Sequence, residues 1–273
     1  GTAVKADILG LQGGHSGTEI HKGRANAVAL LGRYLTLLED HGAAYAVQSI
    51  SGGAKENVIP KESSVTLVLP AGITEEVRAA GADFAAQMKA EYGTADPDIR
   101  LQLTETGCGE FSVLHAASVQ RVRKALLLMP WGVQAMSMDV PGLVETSLNP
   151  GVAETTDAEV ILRFSLRSSV PSAKELLSRK VQTLTELLGG STATIRHGST
   201  PGSPPCGTAA WPCMKHNTAK SRRSLPCTPV WNAASSRARW TGWTASPSVP
   251  TCSTSTPPTS APTSRRWGAC GST

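Results

Sequence analysis

Acidic residues are missing from the last part of this chain: between His197 and Thr273 there are 8 Lys and Arg but no Asp or Glu. The same stretch has no Ile, Phe or Tyr and a single Leu. It offers no apolar face of period 2 or 3.6 to bury, so it cannot offset its own ordering entropy and is expected to be disordered. Its five cysteines never stand as C-x-x-C, which excludes the familiar zinc spacings, and their odd number argues against a finished disulfide framework. No run of 18 apolar residues occurs and no secretory leader opens the chain, so no membrane association is expected and a cytoplasmic protein is. The chain begins at Gly1 in what already reads as a strand, without Met, and a cut N-terminus is expected. No H-E-x-x-H is found among the six histidines, and no metal ligand is assigned.

The part before His197 is different. It holds 21 Asp and Glu against 18 Lys and Arg, a net charge of −3, so the overall +5 is a property of the tail. Basic residues in the tail are scattered among Ser, Thr and Pro, and no nucleic-acid partner is expected from them. Cys108 stands alone in the first part and reads as a small buried apolar side chain.

Val4 to Leu11 reads as a strand running into the turn Gly13-Gly14-His15-Ser16-Gly17. Gly23 to Glu39 carries apolar residues at helical spacing, stopped by Gly42. Tyr45 to Ile50 and Val65 to Leu69 suggest an antiparallel pair with a wide connection. Thr74 can cap a helix that carries Glu75 and Glu76 in its first turn and runs to Tyr92. Ile99 to Thr104 alternates as a strand, and a helix is expected from about Phe111 to Leu128. Leu143 to Leu148 and Glu159 to Leu166 read as strands, the second with Val160, Leu162, Phe164 and Leu166 on one side. Ser172 and Glu175 suggest a capping box for a helix closed by Gly189-Gly190. The expected class is α+β, a mostly antiparallel sheet with helices on one face over residues 1–190, followed by a disordered tail at 197–273.

Three residues could carry chemistry. His15 is flanked by glycines that keep its ring accessible, though a loop histidine is also an ordinary solvated turn residue. Arg167, at a strand end before Ser168-Ser169, could fork onto a carboxylate or be a plain surface arginine. Asn57, before Val58-Ile59-Pro60, could donate its amide to a ligand or only shape the turn. The segment Gly10 to Gly17 is not a phosphate loop, because Thr18-Glu19 stands where Lys and Ser or Thr are needed.

A longer pattern bears on these alternatives. Gly10-Leu11-Gln12-Gly13-Gly14-His15-Ser16-Gly17 continues through Glu19-Ile20-His21 and Gly23-Arg24-Ala25-Asn26-Ala27. It is followed in order by Gly52-Gly53 with Asn57-Val58-Ile59-Pro60, then Gly132-Val133, Val144-Glu145-Thr146-Ser147-Leu148-Asn149 and Arg167-Ser168-Ser169. Over about 190 residues this resembles the lid of the two-metal, carnosinase-like aminoacyl-histidine dipeptidases. The resemblance implies a lid and dimerisation domain of an enzyme that hydrolyses dipeptides with water held between two divalent metals, usually zinc, on a separate catalytic domain. It implies that His15 polarises the scissile carbonyl, often across a homodimer, and that Asn57 and Arg167 hold the dipeptide, Arg167 by its carboxylate. It also implies that this chain by itself binds no metal and is inactive; a non-catalytic dimerisation or peptide-binding module is the alternative.

In that family the chain should continue past Gly190 into catalytic-domain sequence, and here it does not. A family-like His-Ala-Gly-Leu-Glu-Cys, written in plausible codons and read one base later, gives Thr-Pro-Val-Trp-Asn, which is Thr228 to Asn232. A frameshift near Gly190 to His197 is therefore expected.

Overall fold

The computed structural model describes residues 1–195, 206–212 and 215–217. The chain divides into the units Gly1–Arg222 and Arg223–Thr273, the second lying wholly outside the described residues. In the first unit nine of the described strands form one antiparallel sheet. Its strands are β1 (Thr2–Leu9), β3 (Ala46–Gly52), β5 (Ser63–Leu69), β6 (Arg100–Cys108), β8 (Gly132–Met136), β9 (Val144–Thr155), β10 (Glu159–Ser168), β11 (Ser191–Ile195) and β12 (Cys206–Pro212). They run in the order β11-β12-β10-β9-β3-β5-β1-β6, with β8 paired to β9. Two short ribbons join β2 (Gly14–His15) to β4 (Val58–Ile59) and β7 (Ser112–Leu114) to β13 (Lys215–Asn217).

The seam between the two halves of the sheet is short. β3 and β9 pair at Ser51 with Glu154 and at Gly52 with Ala153. Thr155 Oγ1 strengthens the seam by accepting from Ile50 N at 2.8 Å and donating to Ile50 O at 3.1 Å. Helices α1 (Ala27–Asp40), α2 (Glu75–Tyr92), α3 (Ala116–Leu128) and α4 (Pro171–Leu187) form a layer in which α1 touches α2 and α3, and α3 touches α4. The core between layers gathers Leu30, Leu31, Tyr34 and Leu35 of α1 with strand residues such as Val4, Leu67, Leu148 and Leu162. At Gly32 an added Cβ would meet Leu126 backbone at 2.7 Å, so this glycine sets how closely α1 and α3 approach.

The α+β class stands, and several boundaries move. Helix α1 starts at Ala27, because Asn26 is its cap: the Asn26 side chain accepts from Ala29 N at 3.1 Å. Helix α3 starts at Ala116 under a His115 cap, and the residues before it, Ser112–Leu114, are a strand. Strand β9 runs on through Asn149-Pro150-Gly151, past the end at Leu148 expected from the sequence. Opposite Arg163/Phe164 the register shifts, leaving Gly151 of β9 unpaired as a bulge next to Pro150. The capping box at Ser172 and Glu175 does not form; Val170 is the cap and Pro171 opens the helix, its missing N–H costing nothing in the first turn. Cys108 is exposed on the edge strand β6 rather than buried.

The tail expectation needs a correction at two places, Cys206–Pro212 and the short strand Lys215–Asn217 that pairs with β7. Cys206–Pro212 is a strand inserted between β10 and β11, with Ala209 and Trp211 both 0% exposed. Ladder hydrogen bonds come from the main chain, so a short Ala-Ala-Trp run can complete a sheet without an alternating pattern around it. Residues 218–273, where disorder was also expected, lie outside the described residues.

Candidate functional site

The strand-to-helix connection after β1 is long, and one buried carboxylate holds both of its roots. Asp96, 0% exposed, accepts from Gln12 N through Oδ1 and from Ala25 N through Oδ2, each at 2.7 Å. Between these anchors the chain pairs β2 with β4, then makes a 3₁₀ turn at Ile20–Lys22. Glu19 braces the turn: its Oε2 accepts from His15 N at 2.9 Å, and its Oε1 takes Lys22 Nζ at 2.6 Å and Arg24 Nη1 at 3.3 Å. Lys22 first, and the His15 N–H second, pull the Glu19 carboxyl down to about 2 from its ordinary 4.5.

The His15 ring is exposed, but its tautomer is determined. Nδ1 accepts from Gly17 N at 3.2 Å and Thr18 N at 3.3 Å. A backbone N–H can only donate, so Nδ1 is the bare nitrogen and the proton of the neutral ring sits on Nε2. His15 is therefore arranged as a hydrogen-bond donor toward solvent.

Arg167 arrives from the end of β10. A Cβ placed on Gly17 would lie 3.0 Å from His15 Cε1 and 3.1 Å from Cζ and Nη1 of Arg167, so the ring and the guanidinium converge on this glycine. Any side chain at Gly17 would push them apart. Asn57 is exposed at the turn before β4 and is tied to the same loop by Ser16 N, which donates to Asn57 O at 3.0 Å. The three residues singled out in the sequence thus come together at one end of the sheet.

Beside them opens a pocket of about 360 Å³, walled by Ile20, His21, Tyr92, Trp131, Val133 and the two asparagines Asn26 and Asn149 among others. The Tyr92 and Trp131 rings stand 6.4 Å apart. Sequence reasoning gave no role to Asp96, Glu19, Asn26 or Asn149. Three of them stood inside the quoted motifs, but only the fold shows what they bind; Asp96 carried no local signal at all.

Among the described residues no three His, Cys, Asp or Glu side chains come together as a metal site. Among the described residues no helix is long and apolar enough to cross a membrane.

Residues 8–96 match the family profile M20_dimer, a peptidase dimerisation domain. The chain is similar to the cytosol non-specific dipeptidase of Escherichia coli (strain K12), 32% identical over 203 residues, which takes in 74% of this chain and 41% of that protein. It is also similar to the crystal structure of aminoacylhistidine dipeptidase from Vibrio alginolyticus, with a TM-score of 0.65 and 31% identity over 78% of this chain and 40% of the other. The chain spans about two fifths of the length of both relatives.

Proposed function

Because this chain carries the dimerisation domain of the M20 peptidases and belongs with their dipeptidases, we propose that it is the substrate-closing lid of a metal-dependent dipeptidase acting on aminoacyl-histidine and similar short dipeptides. The observation that carries the reading is the convergence of an Nε2–H donor at His15 with the Arg167 guanidinium on Gly17. A fixed donor aimed at a carbonyl oxygen stabilises the charge that develops there as a peptide bond is attacked. A planar guanidinium takes a free carboxylate by two parallel bonds and so favours peptides short enough to present one. Asn57, exposed on the turn that Ser16 N ties to this loop, would add an amide as a further substrate contact. The cations, zinc in this reading, sit on a separate catalytic domain and would provide the activated water. The lid also pairs two copies into a homodimer in the cytoplasm, and the isolated chain is inactive. In the same reading, residues 1–190 are the lid and 197–273 are translated out of frame, with β12 an adventitious addition to the sheet.

Calorimetry of this chain with Gly-His tests the proposal. Arg167→Ala should weaken binding at least about tenfold, the loss expected when a charge-assisted pair is broken. Unchanged affinity would leave only a bare dimerisation module. Zinc-stimulated hydrolysis by the purified chain would refute its inactivity.

A further inference from the structure

Asn149 is 2% exposed, and both hydrogens of its amide are used on one turn. Nδ2 donates to Glu56 O at 2.8 Å and to Val58 O at 2.9 Å, the carbonyls on either side of Asn57. Its Oδ1 accepts from Asn26 Nδ2 at 3.1 Å, and the second Asn26 hydrogen goes to Pro150 O at 2.9 Å. Asn26 Oδ1 in turn caps α1 at Ala29. Each amide can satisfy these partners in only one orientation, so the pair is locked by its donors. The turn is also pressed onto the strand: a Cβ on Gly151 would fall 2.5 Å from Glu56 Cα, and Gly53, at φ +68°, would place one 1.9 Å from Gly151 O. Asn149 reaches the pocket wall, yet its hydrogens point away from any ligand and into the turn.

We infer that Asn149 is a positioning residue: by gripping the carbonyls that flank Asn57, in an orientation set by Asn26, it aims the Asn57 side chain at the peptide. This rests on the proposed role of Asn57 as a substrate contact. Pre-set geometry of this kind lowers the ordering cost of binding without touching the ligand.

Asn149→Asp keeps the shape but replaces the NH₂ group, and with it both donors, by one oxygen that repels both carbonyls. Two readouts are taken on the whole chain. Amide hydrogen exchange at Ser16 and Val58, whose N–H groups bond to Asn57 O and Lys55 O, should quicken by about tenfold or more while the β1–β5 ladder is unchanged. In Gly-His calorimetry the variant should lose as much affinity as Asn57→Ala, and the double variant should lose no more than about twofold beyond either. Unaltered exchange at Ser16 and Val58, or losses that multiply in the double variant, would overturn the inference. If Asn149→Asp does not fold, Asn26→Ala is read in the same two ways, since it leaves the grip and removes what orients it. Absence of any Gly-His binding by the parent chain would sink the proposed function, and the exchange arm would still decide the positioning.

Discussion

Replacing Asp96 by Ala should loosen the His15 loop at both ends at once. The carboxylate is 0% exposed and accepts from Gln12 N and Ala25 N, each at 2.7 Å. Truncation strands both N–H groups; the buried one at Ala25 costs about 1–3 kcal/mol, and the part-buried one at Gln12, which water can reach, costs less. Together they give about 1–4 kcal/mol, a large share of an ordinary domain's stability. With a urea slope of about 2 kcal/mol/M the unfolding midpoint should fall by about 0.5–2 M. Asp96→Asn has the same shape and separates hydrogen bonding from packing. Its amide oxygen can satisfy one N–H while its NH₂ confronts the other, so about half the loss is expected. Midpoints of both variants within about 0.3 M of the parent would refute the reasoning, because the two N–H groups would then be satisfied without this carboxylate.

Two further outcomes follow from named contacts. The Glu19 carboxyl is held at about 2, so its contribution to loop order is fully present above its ordinary 4.5 and is lost as pH falls through about 2; Lys22→Ala should move the titration up toward 4.5, read by carbon NMR of the carboxyl group. A wild-type midpoint near 4.5 would contradict the ion pairing. Trp211 is 0% exposed with no hydrogen-bond partner for Nε1 among the described residues, so Trp211→Ala should cost about 3–5 kcal/mol in urea unfolding while Trp211→Phe costs far less. No loss on Trp211→Ala would mean that β12 is not docked.

The amino-acid sequence by itself determined the α+β class and most of the longer elements, and it singled out His15, Asn57 and Arg167 as candidates, because periodicity and turn chemistry are local and the motif order is read along the chain. Asn26 as the α1 cap, the Pro150 bulge and strand β12 were not legible there. A cap competes with neighbouring helical residues, a bulge needs its partner strand, and a strand built on main-chain bonds needs only an open place in the sheet. The tertiary structure alone decided that Asp96 bridges residues 12 and 25, that Asn149 of β9 reaches the turn at Asn57, and that Arg167 meets His15 over Gly17. These pairs are 71 to 152 positions apart or anchored by backbone groups, and a backbone donor looks the same at every residue until folding brings an acceptor to it.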